Sequence, residues 1–326
     1  MGLAEWTKLA LVLARTGAEA HASEAVSPEV EEYQEEKDGI EVGHYRSRAG
    51  TGPTLVLAHG FTLNGKDDPR LRAFARNLAR VGATCVVPSI PGLQRLSWEP
   101  ADVDVLAALL AGNRGAQGVG LVGFSFGASY ALLAAARVPA RARFVISVGG
   151  YASLPEVYDH IRITGKMQSP TDTDNWLYLK LAMAFRNQNQ LALSEEDSAL
   201  LRQLLACYCD GKQMDVAQSF FQRVLAQYDL EALDSARQDR AILARLSPAG
   251  QMAALACKVV LIHDPDDTTV PAAQSRQLQA ELERASHCPS VKLQLTSLLS
   301  HVTLSNAWRP VEALRLMSLL APLVEC

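Results

Sequence analysis

The chain has 326 residues, 48% hydrophobic and 20% charged, which suits a soluble globular protein with a sizeable core, built as one large domain or as a core carrying an insertion. Lys plus Arg number 31 against 35 Asp plus Glu, a net charge of −4, so no basic excess invites nucleic acid and no like-charge block forms a tail. The six cysteines are scattered, at 85, 207, 209, 257, 288 and 326. Cys207 and Cys209 sit too close for ordinary zinc spacing and have no second pair nearby, so the thiols read as reduced and mostly buried, with no metal.

The first segment, residues 1–38, reads as an N-terminal helix and a linker. A short apolar stretch, Leu9–Ala14, and the small residues Ala20-His21-Ala22 loosely imitate a secretory leader. Glu5 precedes the stretch, Lys8 alone supplies a basic region and Arg15 ends the run, so a cytoplasmic protein is expected over a secreted one. An amphipathic helix packed on the core fits better, with a peripheral membrane or partner contact as its other use. Trp6 breaks the myristoylation pattern, and nothing approaches the length of a membrane span. Residues 24–38 are acidic and polar and read as the linker.

From residue 40 the pattern changes. "IEVGHYRS" (40–47) alternates like an edge strand. "TLVLAHG" (54–60) is a short apolar run ending in Gly, and "DPRLRAFARNLARVG" (68–82) has helical spacing between Pro69 and Gly82. "TCVVPSI" (84–90) predicts a strand, "PADVDVLAALLAG" (100–112) a helix, "VGLVGF" (119–124) a strand followed by a helix to Val138, and "RFVISVGG" (143–150) a strand. Apolar runs of this kind separated by helices are strands buried on both faces, which is a parallel sheet. The alternation breaks over residues 152–250, where four segments show helical spacing and no buried strand is evident. It resumes with "KVVLIHD" (258–264), a helix in "PAAQSRQLQAELERAS", "VKLQLTS" (291–297), and a closing helix in "RPVEALRLMSLLAPLV". The expected fold is α/β, a mostly parallel central sheet flanked by helices. Residues 39–151 and 251–326 form its core, and 152–250 form an inserted helical cap at one end of the sheet.

At the junction of "VGLVGF" and the next helix stands Gly123-Phe124-Ser125-Phe126-Gly127. Gly-x-Ser-x-Gly between a buried strand and a helix puts the serine on a sharp turn, projecting above the sheet edge, with glycines letting strand and helix approach. The helix behind it offers N–H groups and the positive end of its dipole to developing negative charge. A serine hydroxyl is a weak nucleophile and needs a base, which in turn needs an orienting acid. Of seven histidines, His301 follows the last strand and precedes the last helix, so its loop emerges at the same edge as Ser125. "LIHDPDDTTVP" offers Asp264, Asp266 and Asp267 after a buried strand and before His301. Asp267 is preferred for its place in Asp-x-x-Val-Pro, with Asp266 the alternative.

With these residues the chain resembles the α/β-hydrolase superfamily over roughly residues 40–150 and 250–320, through GFSFG, "HGFT" at a strand end and the Asp-x-x-Val-Pro loop. The "HGFTLNGKDD…VVPSIPG" stretch looks like its dienelactone-hydrolase-like and esterase branch. The resemblance implies Ser125 as nucleophile, Asp267 as acid and His301 as base, with an oxyanion hole from the backbone N–H groups of Phe61 and Phe126. It implies no cofactor. The chain departs from the usual pattern twice: Asp264 follows His263 where Gly is usual, and Ser300 precedes His301 where Gly is usual. The expected reaction is acyl transfer to water on a small-molecule ester with a small or medium apolar group. Phe124, Trp176 and Phe221 are the candidate pocket residues. The same residues would serve a lactone, an amide or a C–C bond. A hydrolase fold that only holds a ligand would not need all three reacting groups.

Overall fold

The computed structural model describes residues 3–19, 29–48, 52–113, 118–164, 173–207, 213–237, 239–285, 287–304 and 310–324. Eight strands form one sheet: β1 (Val30–Lys37), β2 (Ile40–Ser47), β3 (Thr54–Ala58), β4 (Thr84–Pro88), β5 (Val119–Phe124), β6 (Ala142–Val148), β7 (Lys258–His263) and β8 (Val291–Leu295). Their order is β1-β2-β4-β3-β5-β6-β7-β8. β2 runs antiparallel to both its neighbours, and β4 to β8 pair in parallel.

β1 corrects the reading of 24–38 as linker. Val30–Lys37 pairs along its whole length with β2 through the two-residue turn Asp38-Gly39, both at positive φ (53° and 76°), as a tight hairpin requires. Most of its side chains face solvent, so the segment shows no apolar alternation. β2, expected at the edge, is therefore one strand in. Arg76 holds Glu32 across to the adjoining helix, and Tyr33 stacks on His44 at 4.5 Å.

Helices cover both faces: α1 (Leu3–Glu19), α2 (Pro69–Arg80), α3 (Pro91–Gln94), α4 (Ala101–Gly112), α5 (Phe126–Arg137), α6 (Leu154–Thr164), α7 (Thr173–Arg186), α8 (Glu195–Cys207), α9 (Met214–Phe220), α10 (Leu230–Arg237), α11 (Arg240–Arg245), α12 (Ala272–Arg284) and α13 (Pro310–Leu319). The period of two along each strand divides the core. Leu55, Leu57, Val122, Ile146 and Ile262 face α1, α2 and α13. Val56, Leu121, Val145 and Leu261 face α4, α5 and α12. Each such side chain taken from water contributes about 1.5–3 kcal/mol. α1 is amphipathic as expected: Leu9 and Val12 are buried in the first layer while Leu11 is exposed. No helix among the described residues is long and apolar enough to cross a membrane.

Between β6 and β7 the described residues hold only helices, α6 to α11. Their apolar faces (Leu177, Leu181, Leu201, Leu204, Phe220, Leu230) join the layer that holds α5. Two ion pairs are buried among them, Arg186–Asp234 at 2.8 Å and Lys180–Glu231. Asp234 also accepts from Asn187 and from the Tyr158 hydroxyl.

Candidate active site

Two of the three candidate residues, Ser125 and Asp267, sit in the loops at the carboxyl ends of parallel strands. Ser125 follows β5 at φ 52°, ψ −126°, a conformation that costs an L-residue of order 1–3 kcal/mol. Close packing around the turn explains the flanking glycines. A Cβ on Gly123 would strike the backbone of Ala128, and one on Gly127 would strike the carbonyl of His59. A Cβ on Gly60 would lie 2.9 Å from the Ser125 Cβ, so the loop after β3 runs directly against the serine. Ser125 is 6% exposed. It is the residue before α5, and Phe126 is the first residue of that helix, whose leading N–H groups have no intrahelical acceptor.

His301 lies in a second, two-stranded sheet of β9 (Leu299–Ser300) and β10 (Thr303–Leu304). Ser300 pairs with Thr303, so His301-Val302 form the turn, where an irregular loop was expected. The imidazole Nε2 lies 2.8 Å from Ser125 Oγ, and Nδ1 lies 2.6 Å from Asp267 Oδ2. The structure thus brings Ser125, His301 and Asp267 into one hydrogen-bonded chain.

Asp267 is buried in the loop after β7, whereas Asp266 is exposed. Its Oδ1 accepts from the N–H groups of Thr269 and Val270, both at 2.9 Å. Its Oδ2 receives His301 and, at 3.3 Å, the Nε2 of buried His263. Burial alone would raise its pKa. Electrostatic attraction to His301 and the hydrogen bonds from His263, His301 and Val270 outweigh burial and hold the carboxyl well below the usual range. An ionised Asp267 only accepts, so Nδ1 of His301 carries the proton and Nε2 is left to accept from the serine hydroxyl. Asp264, the third acid of the loop, accepts the backbone N–H of His301 at 3.3 Å.

The loop His59-Gly60-Phe61 flanks the serine from the other side. Buried His59 accepts the N–H of Ile90 on Nε2 at 2.9 Å and donates from Nδ1 to the Gly60 carbonyl at 2.7 Å. Those partners admit one neutral tautomer, and burial lowers the His59 pKa to about 4. The Phe61 carbonyl accepts from the Tyr178 hydroxyl of α7 at 3.0 Å. Among the described residues the Phe61 N–H meets no acceptor. The rings of Phe61 and Phe126 stack at 4.3 Å, and Trp98 packs on both.

The helical segment meets both flanks, through Tyr178 and through His160 of α6, whose Nε2 donates to the Thr268 carbonyl at 2.9 Å. The pocket candidates fare unevenly. Phe124 turns to the opposite layer, edge-on to Phe74 at 5.6 Å, because the end of a strand still alternates faces; it is not among the rings around Phe61. Phe221 is half-buried at the margin of the helical layer. The Trp176 side chain lies outside the described residues. The sequence reading placed Tyr178 only among the aromatic residues of the helical segment and His263 only at a strand end beside Asp264, and foresaw neither contact. The unusual His263-Asp264 pair was the only signal for one, and nothing local announces the other. No group of three His, Cys, Asp or Glu among the described residues could hold a metal.

The model of the alpha/beta hydrolase family matches residues 55–292, a span that holds Ser125 and Asp267 and stops short of His301. Similar solved structures include a 2,6-dihydroxy-pseudo-oxynicotine hydrolase (TM-score 0.52, 17% identity, 92% of this chain and 69% of that one). An esterase/lipase from an uncultured bacterium matches with a TM-score of 0.51 at 14% identity over 98% and 97%. A meta-cleavage product hydrolase from Pseudomonas fluorescens IP01 matches with a TM-score of 0.51 at 17% identity over 91% and 98%. At these identities the likeness is one of fold. No curated protein sequence matches significantly.

Proposed function

The chain belongs to the alpha/beta hydrolase family, and from that premise we propose that it is a serine hydrolase that cleaves an ester of a small or medium apolar acyl or alcohol group through an acyl-enzyme. The observation that carries the reading is the hydrogen-bonded chain Ser125–His301–Asp267, at 2.8 and 2.6 Å. His301 Nε2 takes the hydroxyl proton as Ser125 Oγ attacks the carbonyl carbon. Asp267 keeps the imidazole in the Nδ1–H tautomer and stabilises the imidazolium. The N–H groups of Phe61 and Phe126 receive the oxyanion; losing one such donor costs about 3 kcal/mol in transition-state stabilisation. His301 returns its proton to the leaving alkoxide, and water, deprotonated by the same nitrogen, cleaves the acyl-enzyme. The aromatic group of Phe61, Trp98 and Phe126 beside the serine supports an apolar substrate. In this reading helices α6 to α11 are the cap, and Phe221 belongs to its pocket wall.

A fluorophosphonate probe tests the nucleophile: labelling confined to Ser125 and lost in Ser125→Ala supports the reading, and an unlabelled native protein overturns it. A p-nitrophenyl ester series of rising chain length, run beside an amide and a lactone, tests the bond. Turnover of either competitor above that of every ester would displace the ester assignment.

A further inference from the structure

His301 occupies a costly place. It is the first residue of the two-residue turn His301-Val302 between β9 and β10, and its φ is 56° while Val302 is not at positive φ. Two-residue hairpins with positive φ at that position alone strongly favour Gly there. Among the described residues two residue pairs form the ladder, and short isolated hairpins are marginal, so the turn gains from support outside it. Yet the imidazole must stay aligned with Ser125 Oγ on one side and Asp267 Oδ2 on the other.

The outside help comes from the loop after β7. Asp264, 8% exposed, accepts the His301 backbone N–H on Oδ2 at 3.3 Å and the Asp266 N–H on Oδ1 at 3.1 Å. One oxygen folds its own loop and the other reaches the hairpin. The same loop therefore grips His301 twice, by its ring through Asp267 and by its backbone through Asp264. The two departures from the usual pattern, at Asp264 and next to His301, meet at this contact.

We propose that Asp264 is a positioning residue: its carboxylate oxygen pins the strained His301 turn so that the imidazole stays aligned between Ser125 and Asp267. The inference rests on His301 being the base of the proposed hydrolase. Without the pin, the turn relaxes toward negative φ and carries the ring off its line. The requirement at His301 is for an acceptor; a single amide oxygen can meet that N–H only by turning its NH2 toward the Asp266 N–H, so an amide keeps one of the two bonds.

The test uses the full chain with Asp264→Ala, Asp264→Ser and Asp264→Asn. Ser is the discriminating variant: its hydroxyl can still accept the local Asp266 N–H but is too short to reach His301. Two readouts are followed, the far-downfield NMR signal of the His301 Nδ1 proton and the rate of fluorophosphonate labelling at Ser125. Asp264→Ala and Asp264→Ser should lose or shift the signal and slow labelling by about tenfold or more, whereas Asp264→Asn, whose amide oxygen can still reach His301, should be impaired less than either. Native behaviour of Asp264→Ser would reduce Asp264 to a turn residue and overturn the proposal. If the native protein itself does not label, the hydrolase reading fails, and the Nδ1 signal alone decides whether Asp264 holds the turn.

Discussion

The carboxyl edge of the sheet and the helical segment α6 to α11 hold their residues by different means. At the edge the backbone does the holding. Ser125 and His301 are kept at positive φ, Gly60, Gly123 and Gly127 allow contacts that no Cβ would permit, and Asp264 and Asp267 accept main-chain N–H groups. In the helical segment side chains do it, through leucines and two buried ion pairs. A reacting group at the edge is therefore separable from stability, while a side chain in the helices is not.

The widest separation is expected of Ser125→Gly. It removes the proposed nucleophile, which on the proposed mechanism cuts ester turnover by more than about a thousandfold, and relieves a strained φ of 52°. Calorimetry should show a raised Tm; an unchanged Tm would mean that the turn stores no strain. The converse is Asp234→Ala. Arg186 and Asp234 are 9% and 0% exposed, and an orphaned buried charge costs about 3–5 kcal/mol, read as a lower urea midpoint. Turnover of a short acetate ester by the folded fraction should fall only a few-fold. A stability loss below about 1 kcal/mol would show that the two regions are held less differently than their contacts suggest.

His59 brings stability into the edge itself. Its pKa is about 4 in the fold against 6.5 free, so between those values the unfolded chain binds more protons. Its contribution is full above pH 6.5 and is lost as pH falls toward 4, by about 2 kcal/mol at pH 5. His59→Gln should flatten the pH dependence of the urea midpoint between pH 7.5 and pH 5. An unaltered slope would place the acid-sensitive group elsewhere. The smallest effect is expected where the regions touch. Tyr178→Phe removes one hydrogen bond, about 1 kcal/mol, and loosens Phe61. A severalfold lower kcat with little change in Tm is expected; unchanged kinetics would mean that the sheet edge holds its loop unaided.

The sequence made the edge legible where the signal is local. GFSFG spells strand, turn and helix within a few residues, and Asp-x-x-Val-Pro follows a buried strand directly. His301 was reached by its place after the last strand. What escaped is what no local pattern records. β1 lies at the border of the sheet, so its exposed faces erase the alternation that announces a strand. Among the described residues the turn holding His301 rests on two residue pairs, below any periodic signal. The Tyr178 hydroxyl meets the Phe61 carbonyl across 117 positions, and nothing in either neighbourhood encodes the other. Phe124 and Phe126 flank the same serine yet enter opposite layers, because strand geometry ends between them.

The Ser125–His301 hydrogen bond spans 176 positions of the chain. Contacts this remote close late, since the loop entropy is spent before they return any stabilisation. The serine turn and both proposed oxyanion donors lie between His59 and Gly127, whereas the proposed base lies beyond β7 and β8, which pair with β6 and with each other. A chain folded as far as β6 holds a strained serine with no base beside it. On the proposed mechanism, nucleophilic power therefore depends on the β7–β8 end of the sheet staying docked, however well the serine turn itself is formed.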